Sequence, residues 1–269
     1  GTLRKCRRGV VVGSRNPYVA SAVYRIRFKS MDKSHMGTYR KGLVSIIIPT
    51  MTRLKTESLQ MLFRNRYLLE DCLQDIKRHI TIPHEVVVVC NSYDDQALIQ
   101  LVTTSPQIDR FCLNSVNVGV PRSWNMGADL ALGEYLCFVN DDVEIGPEAV
   151  EAMREALEND DTVGEVGPAG GKWFRQESGQ RVGLEQIEEA DEISGWLFMV
   201  KRSVFDLVGG LDNAYTPALC EEVDLSFAVR NAGYRCLVLP GLNARHHHIS
   251  GASSSHRPIR ALDMQCGRD

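Results

Sequence analysis

The first half of the chain alternates continuous apolar runs with amphipathic segments, and this alternation constrains the fold more than any other feature. The apolar runs are rich in Val and Ile, as expected for strands covered on both faces, and they lie at 43–50, 84–92, 108–114 and 135–140. The segments between them carry apolar residues at three- and four-residue steps, which predicts helices over 56–80, 94–104 and 120–132. Strands alternating with helices predict an α/β fold with a mostly parallel sheet flanked by helices.

Three of the predicted strands end in polar residues. The terminal residues of the three strands are Pro49-Thr50, Asn91-Ser92 and Asn140-Asp141-Asp142. Asp and Asn are common turn formers, so an ordinary turn is one interpretation. Ligands of parallel α/β sheets bind beyond the carboxyl ends of the strands, and hard divalent cations prefer oxygen ligands. The agreement of three polar strand ends favours a binding site.

The second half of the chain has a less regular pattern. Helices are predicted over 147–160 and 221–233, a strand leading into a helix over 194–210, and a last strand over 234–240. Residues 163–193 are rich in glycine and charge and give no firm pattern.

Composition and charge narrow the class of protein. No apolar run approaches the roughly 20 residues of a membrane span, and the N-terminus lacks the apolar core of a signal peptide. Eight cysteines occur without a CxxC pair, which argues against structural zinc and favours a reducing compartment. We therefore expect a cytoplasmic protein without a transmembrane segment, with peripheral association with a membrane as a second option.

The net charge of −3 conceals a basic N-terminus. Residues 1–41 contain eleven Lys or Arg and one acid, so they carry +10 and the remainder carries −13. One interpretation is a solvated arm. The other is an arm for an anionic partner such as nucleic acid or an acidic membrane surface. The expected organisation is a basic extension over 1–42, a main domain over 43–253 and a polar tail over 254–269.

Seven motifs, in order, resemble those of family 2 glycosyltransferases of the GT-A type. They are VSIIIPTMTR, VVVVCNS, NVGVPRSWNMG, GEYLCFVNDDVEI, SGWLFMVKRSVFDLVGGLD, CEEVDLSFAVRNAGYRCLVLP and RHHHISGAS. The resemblance covers about residues 43–253. It implies a GT-A fold, with a single Rossmann-like sheet and a smaller acceptor-side subregion.

The resemblance also implies an activity. A family 2 enzyme of this type moves a sugar from a nucleotide-diphosphate sugar to an acceptor hydroxyl with inversion, and uses a divalent cation, Mn²⁺ or Mg²⁺, at the diphosphate. The implied acceptor is a glycan, a lipid-linked sugar or a modified nucleic acid.

The family's metal motif falls on residues 140–142 and on the first His after the last strand. By the resemblance, Asp142 and His246 hold the metal and Asp141 contacts the ribose or the donor sugar. Asn140 stands where relatives often have Asp, so its role as a ligand is open. An exposed polar turn is the alternative for His246, and consecutive residues of the RHHHIS segment cannot all face one side.

The nucleotide site is implied at the first two strand ends and in the loop and helix beside them. The resemblance places there Pro49, Thr50, Arg53, Asn91, Asp94, Asn117, Arg122 and Asn125. Cys90 occupies the position of the family's usual Asp, and a protonated thiol makes no ionic contact. Ordinary capping at the start of a helix is the alternative for the residues of 117–127.

The catalytic base is implied at the start of the helix over 221–233. The family's E-D-x-D pattern maps Glu222 to the base, which takes the proton of the acceptor hydroxyl. Glu221 beside it and Trp196 of the SGW segment are implied on the acceptor side. Helix capping by carboxylates and a buried core Trp are the structural alternatives.

Two other classes of function compete with the transferase. One is a non-catalytic GT-A-like module that binds a nucleotide sugar or nucleic acid, which Asn140 and Cys90 keep open. The other is a nucleotidyltransferase on a similar fold, which Glu222 and His246 disfavour. Fold alone does not decide between them.

Overall fold

The computed structural model of the chain describes residues 25–28, 39–52, 67–174, 177–182 and 185–247. Its centre is a nine-stranded sheet in the order β1-β4-β3-β2-β5-β12-β7-β13-β10. The strands of this sheet are β1 (Arg25–Phe28), β2 (Arg40–Thr50), β3 (His84–Cys90), β4 (Arg110–Leu113), β5 (Gly133–Val139), β7 (Val163–Gly167), β10 (Glu188–Ala190), β12 (Leu197–Lys201) and β13 (Arg235–Val238). The block β4-β3-β2-β5 is parallel, and so is the pair β7-β13. This confirms the prediction of an α/β fold with a mostly parallel sheet.

Two smaller sheets accompany the central one. The first has the order β11-β8-β9 and consists of β8 (Gly170–Phe174), β9 (Glu177–Arg181) and β11 (Glu192–Ile193). The second pairs β6 (Val143–Ile145) with β14 (Ala244–His246) in antiparallel fashion. Strands β8, β9 and β11 lie within 163–193, where the sequence has no firm pattern. The strands there have two to five residues, too few for an alternating pattern to be recognised.

Helices cover both faces of the central sheet. They are α1 (Leu68–His79), α2 (Gln96–Thr104), α3 (Val120–Leu130), α4 (Ala149–Asn159), α5 (Arg202–Val208) and α6 (Glu221–Asn231). One apolar core contains the inward residues of α1, α2 and α4. The other contains those of α3, α5 and α6, including Trp124, which packs edge-on against Phe138 and Phe198. The result is a helix–sheet–helix layering.

Helices α3 and α4 are both shorter than the sequence predicts. Helix α3 ends at Leu130, and Gly133 begins β5. A Cβ at Gly133 would lie 2.5 Å from Ser45 Oγ and 2.7 Å from the Leu43 carbonyl oxygen, so the close contact with β2 requires glycine there. Helix α4 begins at Ala149, two residues after Pro147, because Glu148 adopts a left-handed conformation with φ of 65°.

Parts of the predicted N-terminal extension and of the first helix fall outside the described residues. Strand β1 pairs antiparallel with β4, and β2 begins at Arg40. The helix predicted over 56–80 is described only as α1, where the Tyr67 backbone N–H donates to Glu70 Oε2 at 2.9 Å. Arg53, His248, the predicted tail over 254–269 and most of the basic arm lie outside the described residues.

The cysteines and the helices relate to two predictions from the sequence, a reducing compartment and a chain without a transmembrane segment. No disulfide joins the cysteines of the described ranges, and five of these are buried: Cys72, Cys90, Cys112, Cys137 and Cys236. Within the part of the chain that the structure describes, no helix is long and apolar enough to cross a membrane.

Candidate active site

The carboxyl ends of β2 and β5 lie side by side because the two strands are parallel neighbours. Thr50 ends β2, and its hydroxyl donates to Asp141 Oδ2 at 2.7 Å. Both side chains are buried. The hydrogen bond fixes the direction of the Asp141 carboxylate, so two of the predicted donor-site residues come together.

Asp142 and His246 also converge, although they are 104 positions apart. Strand β14 pairs with β6 so that His246 lies opposite Val143, the residue after Asp142. This pairing brings His246 Nε2 to 3.2 Å from Asp142 Oδ1, and the His247 backbone N–H donates to the Asp142 carbonyl oxygen at 3.1 Å. The ring of Trp196 stacks on that of His246, with centroids 5.6 Å apart and planes 2° from parallel.

The donor set of this pair suits a divalent cation. A carboxylate oxygen and an imidazole nitrogen at the end of a sheet are ligand types that Mn²⁺ accepts. No group of three or more His, Cys, Asp or Glu that could hold a metal occurs among the described residues. A cation held here would therefore take its remaining ligands from water or from substrate phosphates, as Mg²⁺ and related ions commonly do. The neighbouring His247 contacts Glu144 at 3.2 Å instead.

Asn91 and Asn125, both predicted at the donor site, make internal hydrogen bonds. Asn91 Nδ2 donates to Ser123 Oγ at 2.9 Å, and Asn91 Oδ1 accepts from Asn114 Nδ2 at 2.9 Å. Asn125 Nδ2 donates to the Leu211 carbonyl oxygen at 2.7 Å, and Asn125 Oδ1 accepts from the Leu211 N–H at 2.9 Å. These amides join α3 to the ends of β3 and β4 and to the segment after α5. They therefore fix the position of α3 beside the strand ends.

The other predicted donor residues lie around the same strand ends. Asp94 and Asn117 are exposed, and Asn117 Oδ1 accepts from the Gly119 N–H at 2.9 Å. Pro49 is buried in β2, and Arg122 is half-buried in the first turn of α3. Cys90 is buried, and burial raises the pKa of its thiol, so it does not replace the family's carboxylate.

Asp95 is a residue of this region that the sequence analysis did not assign. Its carboxylate accepts from the Leu98 N–H at 3.0 Å, the Tyr67 hydroxyl at 2.8 Å and the Thr52 hydroxyl at 2.9 Å. These hydrogen bonds lower the pKa of Asp95 against the effect of its burial. The available signal was an Asp directly before an apolar helix, which is a typical N-cap.

Glu222 lies in the first turn of α6, with Glu221 and Asp224. Burial raises the pKa of the Glu222 carboxyl to about 7, and the nearby Glu192 carboxylate adds to the rise. A carboxylate with a pKa near neutrality can accept a proton at physiological pH and release it afterwards. Glu221 is buried at the start of the same helix.

Gly195 explains how the Glu222 side chain is accommodated. A Cβ at Gly195 would lie 3.0 Å from Cδ and Cγ of Glu222 and 3.1 Å from its Cβ. The next residue is Trp196, which stacks on His246. Adjacent Cα atoms are about 3.8 Å apart. Two consecutive residues therefore contact the predicted base on one side and the predicted metal ligand on the other.

Gly195→Ala is expected to lower turnover about tenfold with little change in thermal stability. The added methyl group displaces the Glu222 carboxyl by a fraction of an ångström, and a 1 Å misplacement of a reacting group costs up to about 10²-fold. Steady-state kinetics on Gly195→Ala, Glu222→Gln and the double variant measure the effect. If Gly195→Ala lowers turnover equally in the Glu222→Gln background, the glycine acts independently of Glu222.

Comparison with known proteins identifies the family. The model for glycosyl transferase family 2 matches residues 45–209, which is more than half of the chain. The chain belongs to glycosyl transferase family 2. The matched range contains the strand ends of β2, β3 and β5 together with Gly195 and Trp196, whereas Glu222 and His246 lie beyond it.

Curated relatives of this family 2 chain are distant. An N-acetylglucosaminyl-diphospho-decaprenol L-rhamnosyltransferase of Mycobacterium tuberculosis is 24% identical over 173 residues, which are 51% of this chain and 56% of that protein. An uncharacterized glycosyltransferase of Haemophilus influenzae is 24% identical over 182 residues, which are 64% of this chain and 57% of that protein. The chain thus spans just over half the length of these relatives.

Solved structures confirm the GT-A fold. GalNAc-T7, crystallised with UDP, GalNAc and Mn²⁺, superposes with a TM-score of 0.62 at 14% identity, over 82% of this chain and 48% of that one. The mannosyltransferase PcManGT of Pyrobaculum calidifontis, in complex with GDP-Man and Mn²⁺, gives 0.59 at 18% identity, over 84% and 64%. At these identities the likeness concerns the fold alone.

Proposed function

We propose that this family 2 chain is an inverting, metal-dependent glycosyltransferase that moves a sugar from a nucleotide-diphosphate sugar to an acceptor hydroxyl. The observation that carries the proposal is the Gly195-Trp196 dipeptide, which contacts both Glu222 and His246. Glu222 and His246 therefore lie on two sides of one small region, which supports their assignment as base and metal ligand. A module that only binds a nucleotide sugar would not need a carboxyl with a pKa near 7 beside that region.

The donor binds, in this proposal, across the carboxyl ends of β2, β3 and β5. Asp141, oriented by Thr50, contacts the ribose or the sugar. Asp142 and His246 hold a divalent cation, Mn²⁺ or Mg²⁺, which when bound stabilises the negative charge that develops on the leaving diphosphate. Two solved structures of this fold contain Mn²⁺ with a nucleotide or nucleotide sugar, which supports this assignment.

The acceptor attacks the sugar from the side opposite the leaving diphosphate. Glu222 accepts the proton of the acceptor hydroxyl. The oxygen of that hydroxyl attacks the anomeric carbon, and the bond between this carbon and the diphosphate breaks. Glu221 and Trp196 line the acceptor side. Attack opposite the leaving group inverts the anomeric configuration. The acceptor class stays open among glycans, lipid-linked sugars and modified nucleic acids, and the +10 charge of residues 1–41 favours an anionic one.

A donor screen tests the proposal. We expect slow release of nucleoside diphosphate from one of UDP-, GDP- or dTDP-sugars when Mn²⁺ or Mg²⁺ is present, and none in EDTA, because water can replace the acceptor. NMR of the released sugar, recorded before mutarotation, gives the anomeric configuration. Binding of the nucleotide sugars without any hydrolysis or transfer would favour the non-catalytic module, and retained configuration would exclude inversion.

A further inference from the structure

The segment RHHHIS contains three consecutive histidines, His246, His247 and His248. His246 Nε2 lies 3.2 Å from Asp142 Oδ1. His247 Nε2 instead lies 3.2 Å from Glu144 Oε2. Consecutive residues of a strand point to opposite faces, so a shift of one residue would exchange the positions of the two rings. The register of β14 against β6 therefore decides which histidine reaches the proposed metal site.

Backbone hydrogen bonds hold the two ends of this strand pair in one register. At one end the Gly146 N–H donates to the Asn243 carbonyl oxygen at 2.6 Å. At the other end the His247 N–H donates to the Asp142 carbonyl oxygen at 3.1 Å. Between these two bonds lie the cross-strand pairs Ala244–Ile145, Arg245–Glu144 and His246–Val143. The same register thus extends over the whole of 142–146 and 243–247.

The side chains of β14 and of the residues before it alternate in agreement with this register. Leu242 and Ala244 pack against the apolar core. Arg245 and His247 are exposed. A shift of one residue would turn Leu242 and Ala244 to solvent and Arg245 towards the core, which is costly. Burial therefore favours His246 as the histidine on the side of Asp142.

Gly146 leaves room for the side chain of Asn243. A Cβ at Gly146 would lie 2.5 Å from Asn243 Nδ2 and still closer to Cγ and Oδ1 of the same side chain. Atoms in ordinary contact are about 3.5–4.0 Å apart, so any side chain at position 146 must displace Asn243. Asn243 is exposed and can rotate away from a single methyl group, whereas a valine branches at Cβ and crowds the backbone as well. Displacement of Asn243 disturbs the hydrogen bond at which the strand pair begins.

We propose that Gly146 is a positioning residue that fixes the register of β14 and so selects His246, among three consecutive histidines, as the partner of Asp142. Its backbone N–H and the absence of a side chain both hold Asn243 in place. The inference rests on the proposed metal role of Asp142 and His246, and it adds the residue that determines which histidine is the ligand. With a larger residue at position 146, β14 shifts and His246 Nε2 moves away from Asp142 Oδ1.

Gly146→Ala and Gly146→Val test the inference as a series of increasing side-chain size. Asn243→Ala is the control that removes the crowded side chain, and the double variant Gly146→Val/Asn243→Ala has room for the valine. His246→Ala and His247→Ala identify the ligand. Each protein is titrated with Mn²⁺ in the presence of UDP or of GDP, and electron spin-echo spectroscopy of the bound Mn²⁺ records the nitrogen-14 signal of a histidine ligand. The melting temperature of each variant reports its folding.

The nitrogen signal is expected in the wild type and in His247→Ala, and it is lost in His246→Ala. Gly146→Val loses the signal and binds Mn²⁺ roughly tenfold or more weakly, the usual cost of disturbing a group that orients a metal ligand. Gly146→Ala has a smaller effect, and Asn243→Ala keeps the signal. The double variant regains the signal, which distinguishes positioning from a general loss of stability. If Gly146→Val does not fold, Gly146→Ala and the double variant carry the test.

Three results would overturn the inference. A nitrogen signal and a Mn²⁺ affinity that stay at the wild-type level in folded Gly146→Val and Gly146→Ala show that Gly146 does not position His246. A signal that the double variant fails to regain assigns the effect to another contact of the valine. A wild type without a nitrogen signal, or with one that depends on His247, refutes His246 as the ligand. Failure of the proposed function has a different signature, which is a wild type that binds Mn²⁺ through His246 but neither hydrolyses nor transfers the sugar.

Discussion

Glu222→Gln is expected to lower glycosyl transfer by roughly 10²- to 10⁴-fold, the usual contribution of a general base. Glutamine keeps the shape of the side chain beside Gly195 but cannot accept the proton of the acceptor hydroxyl. Affinity for the donor, measured with the nucleoside diphosphate and Mn²⁺ by calorimetry, should stay nearly unchanged. Loss of donor binding would instead assign Glu222 to a binding or structural role.

The pH profile gives a second measure of the same residue. The base must be ionised, and burial raises the pKa of Glu222 to about 7. Wild-type turnover should therefore increase as the pH rises through about 7, and Glu222→Gln should lack this acidic limb. An acidic limb retained in the variant would have to come from another group.

Asp224→Asn is the matched control for Glu222→Gln. Asp224 is also in the first turn of α6, and burial raises the pKa of its carboxyl as well. Its replacement removes the same charge from the same helix terminus, where carboxylates interact favourably with the helix dipole. A loss of activity in Asp224→Asn equal to that in Glu222→Gln would point to the helix terminus and not to a base.

The parallel strands and their polar ends could be predicted from the sequence because their signals are local. Runs such as IIIP (46–49) and VVVVC (86–90) are apolar throughout, and the polar residue that follows each run lies at the carboxyl end of its strand. The helix containing Glu222 is recognisable for the same reason, since carboxylates occupy its first turn and Gly233 follows its C-terminus. The family resemblance then assigned roles that the pattern alone left open.

The contacts that complete the site could not be predicted in the same way because they join distant positions. The approach of Gly195 to Glu222 and the stacking of Trp196 on His246 depend on how β12, α6 and β14 pack. Asn91 shows the same limit at a strand end, because its buried hydrogen bonds with Ser123 and Asn114 also join positions that are distant in the sequence. The sequence identifies the type of side chain at the end of a strand, but it does not identify the residue with which that side chain makes contact.

Asp142→Ala is expected to abolish metal-stimulated turnover, a loss of at least about 10²-fold. Stabilisation of the leaving diphosphate by a cation amounts to several kcal/mol, and each 1.36 kcal/mol is about tenfold in rate. His246→Ala should have the same effect in weaker form, because a neutral imidazole contributes less than a carboxylate to holding a divalent ion. The geometric basis is the 3.2 Å approach of His246 Nε2 to Asp142 Oδ1.

Binding measurements separate the metal role of Asp142 from a structural one. Titration of UDP and GDP with and without Mn²⁺ should show that the wild type binds one of them more tightly with the metal, and that Asp142→Ala does not. Glu144→Gln, which removes a carboxylate two residues away that contacts His247 at 3.2 Å, should keep the metal effect. Full turnover of Asp142→Ala, or wild-type turnover that survives EDTA, would contradict a metal at this site and favour stabilisation of the diphosphate by protein groups alone.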